Sequence, residues 1–241
     1  MRVDFEPAYL LSLRPYRETS QLLEAITPER GRVGLVARGA RGPKARQRGT
    51  LELFRPLLLS WTESGDLGTM TGVESAGPGI TLSGERVFHG WYLNELLLKL
   101  LQRHDPHPQL YGDYAATLAR LAGEAIQAEA ALRVFEKRLL EQLGYGLQLD
   151  SDLMPEQFYR YRAESGPIAA DASEAGTYRG TGLIALRDEV LDTRSALDDA
   201  RRLLRTALEP HAPRATLRTP KLLREMRGWR GAQRDDRVDE R

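Results

Sequence analysis

The first eighty residues alternate between short apolar runs and turn-forming residues, a pattern typical of β-strands. Strands are predicted at residues 8–13, 22–27, 32–38, 51–61 and 67–73. In the third strand, Val33, Leu35 and Ala37 fall on one face, because successive side chains of a strand point to opposite sides. The turn before this strand ends in Gly31, which can adopt a positive φ. Five short strands and one long basic loop favour a small barrel such as the OB-fold.

After residue 83 the apolar positions change to helical spacing. Helices are predicted at residues 83–105, 110–122, 124–143 and 195–208, and again from residue 219. We expect Gly144 to end the third helix, and Ser195 with Asp198 to form a capping box at the start of the fourth. The pair Thr219 and Pro220 suits the start of the fifth. The intervening residues 147–190 are predicted to be irregular, with a short strand at 158–162.

These patterns predict an α+β protein in two parts. The first part is a five-stranded OB-fold barrel at residues 1–80. The second is a mainly α-helical domain at residues 81–241, with the irregular insertion at about 147–190 and a disordered, charged C-terminal tail.

Charge is distributed unevenly along the chain. The net charge is only +1, from 35 basic and 34 acidic side chains. Residues 30–48 nevertheless hold seven basic and no acidic residues, and residues 214–234 hold seven basic residues against one acidic. Local patches create local potentials, so both segments are candidate anion-binding zones.

A basic strand that runs into a basic, glycine-rich loop suits the backbone of a polyanion. Arginine and lysine neutralise phosphates and release counterions. The candidate nucleic-acid-binding residues are Arg32, Arg38, Arg41, Lys44, Arg46 and Arg48. Bases could stack on Tyr16, Phe54 or Trp61, although each of these is better interpreted as a core residue of the barrel.

Signals for catalysis, cofactors and membranes are poor. The chain has no cysteine, which excludes disulfides, thiolate metal sites and a cysteine nucleophile. The four histidines lack ligand or triad spacing, and no phosphate-binding loop with its lysine is present. We therefore expect no enzyme activity, metal or cofactor, and no contact with a membrane, since no apolar run is long enough to span one. Two alternatives stay open: a metal-dependent nuclease using Asp150 and Asp152, and an OB-fold adaptor that binds RNA.

Ordered motifs along the chain resemble the RecO family of recombination mediators. They are RPYRETS at 14–20, VARGAR at 36–41, YLNELL at 92–97 and LR-x-FE with the following LGY at 132–145. The resemblance implies an OB-fold followed by a helical domain. It also implies binding and annealing of single-stranded DNA, contacts with RecR and with the single-stranded DNA-binding protein SSB, help in loading RecA, and a place at the nucleoid in the bacterial cytoplasm.

The resemblance also assigns a role to one arginine of the helical domain. Arg133 lies within the LR-x-FE motif, and by resemblance it belongs to a pocket for the acidic tail of SSB, with Arg120 as a second, weaker candidate. Arg138 is interpreted as part of a solvated helix face, and Asn94 and Glu95 as structural residues. Many family members carry a cysteine-rich zinc module, which the absence of cysteine excludes here.

Overall fold

The N-terminal part of the chain is a closed five-stranded barrel. The computed structural model describes residues 1–42, 49–63, 65–149 and 152–226. Its first strands are β1 (Arg2–Tyr16), β2 (Ser20–Thr27), β3 (Gly31–Ala37), β4 (Leu57–Thr62) and β5 (Gly68–Ser75). They close in the order β1-β2-β3-β5-β4, with β3 and β5 parallel. The predicted barrel followed by helices is confirmed.

Two strand starts differ from the prediction by six residues each. β1 starts six residues earlier than expected, at Arg2, and its two halves pair with different neighbours, β4 and β2. β4 begins only at Leu57, because Pro56 has no N–H to give to the ladder. The preceding residues turn instead, and Phe54 adopts a φ of 62°. Its ring thereby leaves the barrel and packs into the core shared with the helices.

The helical part follows the predicted order with changes at the ends. Its helices are α1 (Arg86–Leu100), α2 (Pro108–Leu121), α3 (Ala125–Gln142), α4 (Gly180–Arg187) and α5 (Arg194–Leu208), and residues 219–226 are also helical. The predicted capping box is wrong. The N-cap of α5 is Thr193, whose Oγ1 accepts a hydrogen bond from the Ala196 N–H at 3.3 Å, so Ser195 already lies inside the helix. None of the helices in the described residues has the length and apolarity to cross a bilayer.

The end of α3 agrees with the prediction. Gly144 has a φ of 81°, and its N–H donates to the Glu141 carbonyl at 3.0 Å. The Tyr145 N–H donates to the Leu140 carbonyl at 2.8 Å, which completes a Schellman motif. The motif places Tyr145 at the surface, where its side chain is exposed.

Residues 147–190 are more regular than predicted. The predicted strand is confirmed as β6 (Phe158–Arg162), which lies between β7 (Gly166–Ala170) and β8 (Tyr178–Arg179) in a small antiparallel sheet. α4 also belongs to this segment. The sheet and α4 bury apolar side chains against α3 and α5, so tertiary packing stabilises elements too short to show a clear period in the sequence.

The barrel and the helices share one apolar core. Tyr9, Leu11, Ile26 and Phe54 from the barrel side pack with apolar residues of α1, α2 and α3. A buried polar group lies within this core: Asn94 donates from Nδ2 to the Leu11 carbonyl at 3.0 Å.

Two polar residues of α1 have the structural role that was expected. The Oδ1 atom of Asn94 accepts a hydrogen bond from the Tyr114 hydroxyl at 2.6 Å, so both ends of its amide are satisfied. The Glu95 carboxylate accepts from the backbone N–H groups of Arg218 and Thr219 at 2.7 and 3.0 Å. It therefore stabilises the start of the last helical segment from outside that helix.

Gly31 supports a close contact between the barrel and the helical part, and its replacement should be costly. Its φ is 62°, and a Cβ there would lie 1.9 Å from the carbonyl oxygen of Asp105. We expect Gly31→Ala to lower the free energy of unfolding by about 3 kcal/mol or more, measured by urea denaturation. Gly39→Ala is the matched control, because Gly39 has a φ of 70° with nothing within 4 Å, and should cost only about 1 kcal/mol. Equal losses would contradict the proposed clash.

Candidate nucleic-acid interface

The tip of the β1–β2 hairpin and the segment after β3 meet at one end of the barrel. The hairpin ladder ends at the pair Tyr16 and Ser20. The Arg41 N–H then donates to the Thr19 carbonyl at 2.8 Å, and the Arg41 guanidinium reaches the Arg17 carbonyl at 3.4 Å. These bonds hold the start of the basic loop against the hairpin.

Four arginines at this end form what we call the cationic rim: Arg14, Arg17, Arg38 and Arg41. All four are exposed. Within the described parts of the chain, no carboxylate lies within 4.0 Å of any of their guanidinium groups. Unpaired exposed cations at one end of a barrel create a positive local potential, although the chain as a whole is nearly neutral.

The rim contains some of the predicted residues and adds others. Arg38 and Arg41 were predicted, whereas Lys44, Arg46 and Arg48 lie outside the described residues. Arg14 and Arg17 were missed as candidates because they precede the acid-free segment. Their signal was the RPYRETS motif, in which Arg14 lies near the end of β1 and Arg17 lies in the turn that follows.

Arg32 lies away from the rim, at the junction with α1. Its guanidinium donates to the Leu101 carbonyl at 2.9 Å and lies 3.2 Å from the Glu24 carboxylate. Burial lowers its pKa. Because the outward face of β3 is covered by the helical part at this end, Arg32 is engaged in joining the two parts. We therefore leave it out of the interface.

Only one of the three aromatic candidates reaches the surface at this end. Trp61 and Phe54 are 1% and 7% exposed, which confirms their interpretation as core residues. Tyr16 is half-buried at the base of the rim, and the Arg17 guanidinium lies 5.2 Å from its ring centroid. An aromatic ring beside four arginines can offer stacking and phosphate contacts together.

Arg133 is held in a buried polar cluster in the helical part. Its Nη2 lies 2.8 Å from the Glu136 carboxylate, and the Tyr92 hydroxyl donates to the same carboxylate oxygen at 2.7 Å. The Arg133 side chain is only 11% exposed. Its Nε atom and the other Glu136 oxygen are buried and lack hydrogen-bond partners among the described residues. The cluster therefore retains unused capacity for a further polar group.

The other arginines of the helical part are placed differently. Arg120 is exposed in the last turn of α2. Arg138 was expected on a solvated face, but it bridges elements: its guanidinium pairs with both Asp113 and Glu189. The sequence could not show this because both partners come from other segments of the chain.

The metal-dependent alternative receives no support from the described residues. Asp150 lies outside them, and Asp152 is exposed. The described ranges contain no group of three histidine, aspartate or glutamate side chains close enough together to hold a metal ion.

The buried Glu136 should make stability depend on pH. Burial raises its pKa by more than Arg133 and Tyr92 lower it. Its contribution to stability is therefore full below the ordinary glutamate pKa of about 4.3, and is lost as the pH rises through the raised value. We expect the free energy of unfolding of the wild type, relative to Glu136→Gln, to fall as the pH rises from about 4 to 8.

Glu189→Gln is the control of opposite sign for this measurement. Burial raises the Glu189 pKa, but the hydrogen bonds from Arg138 and Lys137 together lower it below its ordinary value. The wild type should gain stability relative to this variant as the pH rises. Urea titrations across the pH series would measure both differences in the free energy of unfolding. A difference between the wild type and Glu136→Gln that does not change with pH would contradict the raised pKa of Glu136.

Comparison with known proteins agrees with this architecture. The family model described as "Recombination protein O N terminal" matches residues 1–78, and "Recombination protein O C terminal" matches residues 82–221. Curated proteins named DNA repair protein RecO are similar over nearly the whole chain. The protein of Nitrosococcus oceani is 45% identical, and the match covers 94% of this chain and 95% of that protein. The protein of Methylococcus capsulatus is 44% identical over 92% of this chain and 94% of its own length. The protein of Coxiella burnetii is 42% identical over 92% of this chain and 98% of its own length. This chain, in which a closed barrel is followed by helices, therefore belongs to the RecO family of DNA repair proteins.

Proposed function

We propose that this protein is a recombination mediator that binds and anneals single-stranded DNA at the cationic rim. In this proposal it contacts SSB and RecR and promotes loading of RecA onto SSB-coated DNA. It acts at the nucleoid in the bacterial cytoplasm, without catalytic residues or cofactors of its own. The observation that carries the proposal is the rim itself, where four exposed arginines at one end of the barrel have no carboxylate partner in the parts of the chain that the structure describes.

The rim supports binding because phosphate contacts supply most of the affinity of proteins for single strands. Each neutralised phosphate releases counterions, and the gain does not depend on sequence. Exposed arginines are already charged and need no competing carboxylate to be displaced. Tyr16 adds a surface on which a base can stack, also with little dependence on sequence.

Annealing follows from the same charges. Two complementary strands repel each other through their phosphates, and a cationic surface that screens them lowers this repulsion. No bond is made or broken in the process, so the protein needs only to bring the strands together. A mediator of this kind needs affinity without sequence specificity, and the rim offers backbone contacts without base-reading groups at fixed positions.

The protein partner is assigned to the helical part. An acidic tail ending in a carboxylate suits a cation with an unsatisfied N–H, and Arg133 has one at its buried Nε. Arg120 could contribute from the exposed end of α2. Glu136 already holds Arg133, so an incoming carboxylate would have to share or replace this contact.

The rim can be tested through the salt dependence of binding. If about five phosphates are contacted, the slope of log affinity against log salt is near −3.5, since each single-strand contact contributes about 0.7. We expect Arg38→Ala with Arg41→Ala to weaken binding and to make the slope shallower by about 1.4. Fluorescence anisotropy of a labelled oligonucleotide across a salt series measures both quantities.

Arg205→Ala is the matched control for the rim. Arg205 is an exposed arginine of α5. The slope of log affinity against log salt for Arg205→Ala should equal that of the wild type. Annealing of complementary strands, with and without SSB, should be slowed when Arg41, Lys44 and Arg46 are changed to alanine and unaffected by Arg205→Ala. An unchanged slope and rate in the rim variants would refute the proposed interface.

The tail site can be tested with a fluorescent acidic peptide that ends in phenylalanine. Arg133→Ala should weaken its binding about tenfold or more, as expected for the loss of a charge-assisted hydrogen bond. Because this variant leaves Glu136 buried without its cation, the double variant Arg133→Gln with Glu136→Gln should be tested as well. Arg120→Ala should have a smaller effect. If the folded double variant binds the peptide like the wild type, Arg133 is not part of the site.

A further inference from the structure

A polar cleft lies where the ends of α1, α2 and α3 meet, far from the rim. Its volume is about 410 Å³, within the range of about 300–1,000 Å³ that is common for small-ligand sites. It is lined by Lys99, Gln102, Asp105, His107, Gln142, Tyr145 and His211, with two leucines. None of these residues has a role in the proposed binding of DNA or of the tail.

Tyr145 is the unusual feature of this cleft. One face of its ring stacks on the His211 imidazole, with centroids 3.8 Å apart and planes 26° apart. Tyr145 is still 53% exposed, so much of the residue remains open to solvent beside this stack. The Schellman motif at the end of α3 explains Gly144 and places Tyr145 at the position that follows it.

The polar groups around the open ring suit a nucleobase with its phosphate. Gln102 offers an amide with donors and an acceptor that can meet the edge of a base. Gln142 donates one N–H to Gln109 Oε1 at 2.7 Å and has a second N–H and its Oε1 beside the cleft. The Lys99 ammonium donates to Thr216 Oγ1 at 3.0 Å, which leaves further N–H groups for a phosphate. Asp105 is the one carboxylate that lines the cleft, and it lies 3.2 Å from His107 Nε2.

We propose that this cleft is a second site for single-stranded nucleic acid, which binds one nucleotide with its base stacked on Tyr145 and its phosphate beside Lys99. The site rests on the proposed function, because a protein that anneals two strands benefits from a second contact that holds a base apart from the rim. A stacked Tyr145 and His211 pair forms a rigid platform, and stacking is tolerant of base identity.

The position of the cleft relative to β3 supports a separate contact. Asp105, in the wall of the cleft, packs against the backbone of Gly31 at the start of β3. The rim begins beyond the other end of this strand, at Arg38. The seven residues of β3 span about 20 Å. One strand several nucleotides long could reach from one site to the other, or each site could hold a different strand.

Photo-crosslinking and binding can test the cleft with the full-length protein. The probe is a short oligothymidylate that carries 5-iodouracil, which should crosslink to Tyr145. We expect Tyr145→Ala to remove this crosslink and to weaken binding about fivefold or more, as for the loss of one stacked base. Tyr145→Phe keeps the ring and should bind within about twofold of the wild type. Lys99→Ala should weaken binding, whereas Arg205→Ala should not.

The same measurements in the rim variant Arg38→Ala with Arg41→Ala separate the two proposals. Loss of binding in the rim variant, together with normal binding by Tyr145→Ala and no crosslink to Tyr145 in the wild type, would overturn the cleft and leave the rim intact. Normal oligonucleotide binding by the rim variant, together with a crosslink that requires Tyr145, would overturn the proposed interface at the rim and support the site in the cleft. A poly-glutamate peptide is a further probe. If the peptide binds in a manner that requires Tyr145 and the oligonucleotide does not bind, the cleft is a site for acidic protein segments and the assignment to nucleic acid is overturned. Thermal midpoints equal to that of the wild type would show that the exposed Tyr145 can be changed without unfolding the protein.

Discussion

The attachment of the barrel to the helices is the constraint on which the rest of this structure depends. The shared core is apolar, and apolar packing alone gives little preference for one orientation. Asn94 favours one orientation of the barrel relative to the helices, because its amide is fully hydrogen-bonded only when the Leu11 carbonyl and the Tyr114 hydroxyl are both in place. A buried amide left unpaired would cost on the order of 1–3 kcal/mol, so a shifted arrangement is disfavoured.

The same attachment decides what each arginine of β3 and its continuation can do. Arg32, at the end next to α1, is bound by helix carbonyls and by Glu24. Arg38 follows the opposite end of the strand and remains exposed. Two arginines six residues apart have the same local sequence character, yet one holds the protein together and the other is available to a ligand. Tertiary contact, not local sequence, makes the difference.

The sequence predicted those features that depend on local periodicity or on a local turn. The alternation in β3 and the glycine stop after α3 were both correct because a few neighbouring residues determine them. The early start of β1 depends on pairing with β4, and the small sheet around β6 depends on packing against α3 and α5, so neither could be predicted from one window of sequence. Of the candidate site, Arg38 and Arg41 could be predicted from charge, and Glu136 stands at helical spacing from Arg133. The partners of Arg32 and Arg138 could not be predicted, because they lie in other segments of the chain.

Burial also explains why the two proposed cationic sites suit different partners. The rim arginines are exposed and have no carboxylate partner among the described residues, so their attraction to a polyanion would be long-ranged, additive and sensitive to salt. Arg133 is nearly enclosed and already holds a carboxylate, so an anion gains from it only by fitting the geometry around Glu136 and Tyr92. The first arrangement favours affinity for any single strand, and the second favours selection of one carboxylate over others, because desolvation penalises every poorly placed anion. In a chain whose charges nearly cancel, the depth of each arginine therefore determines the class of partner that it can recognise.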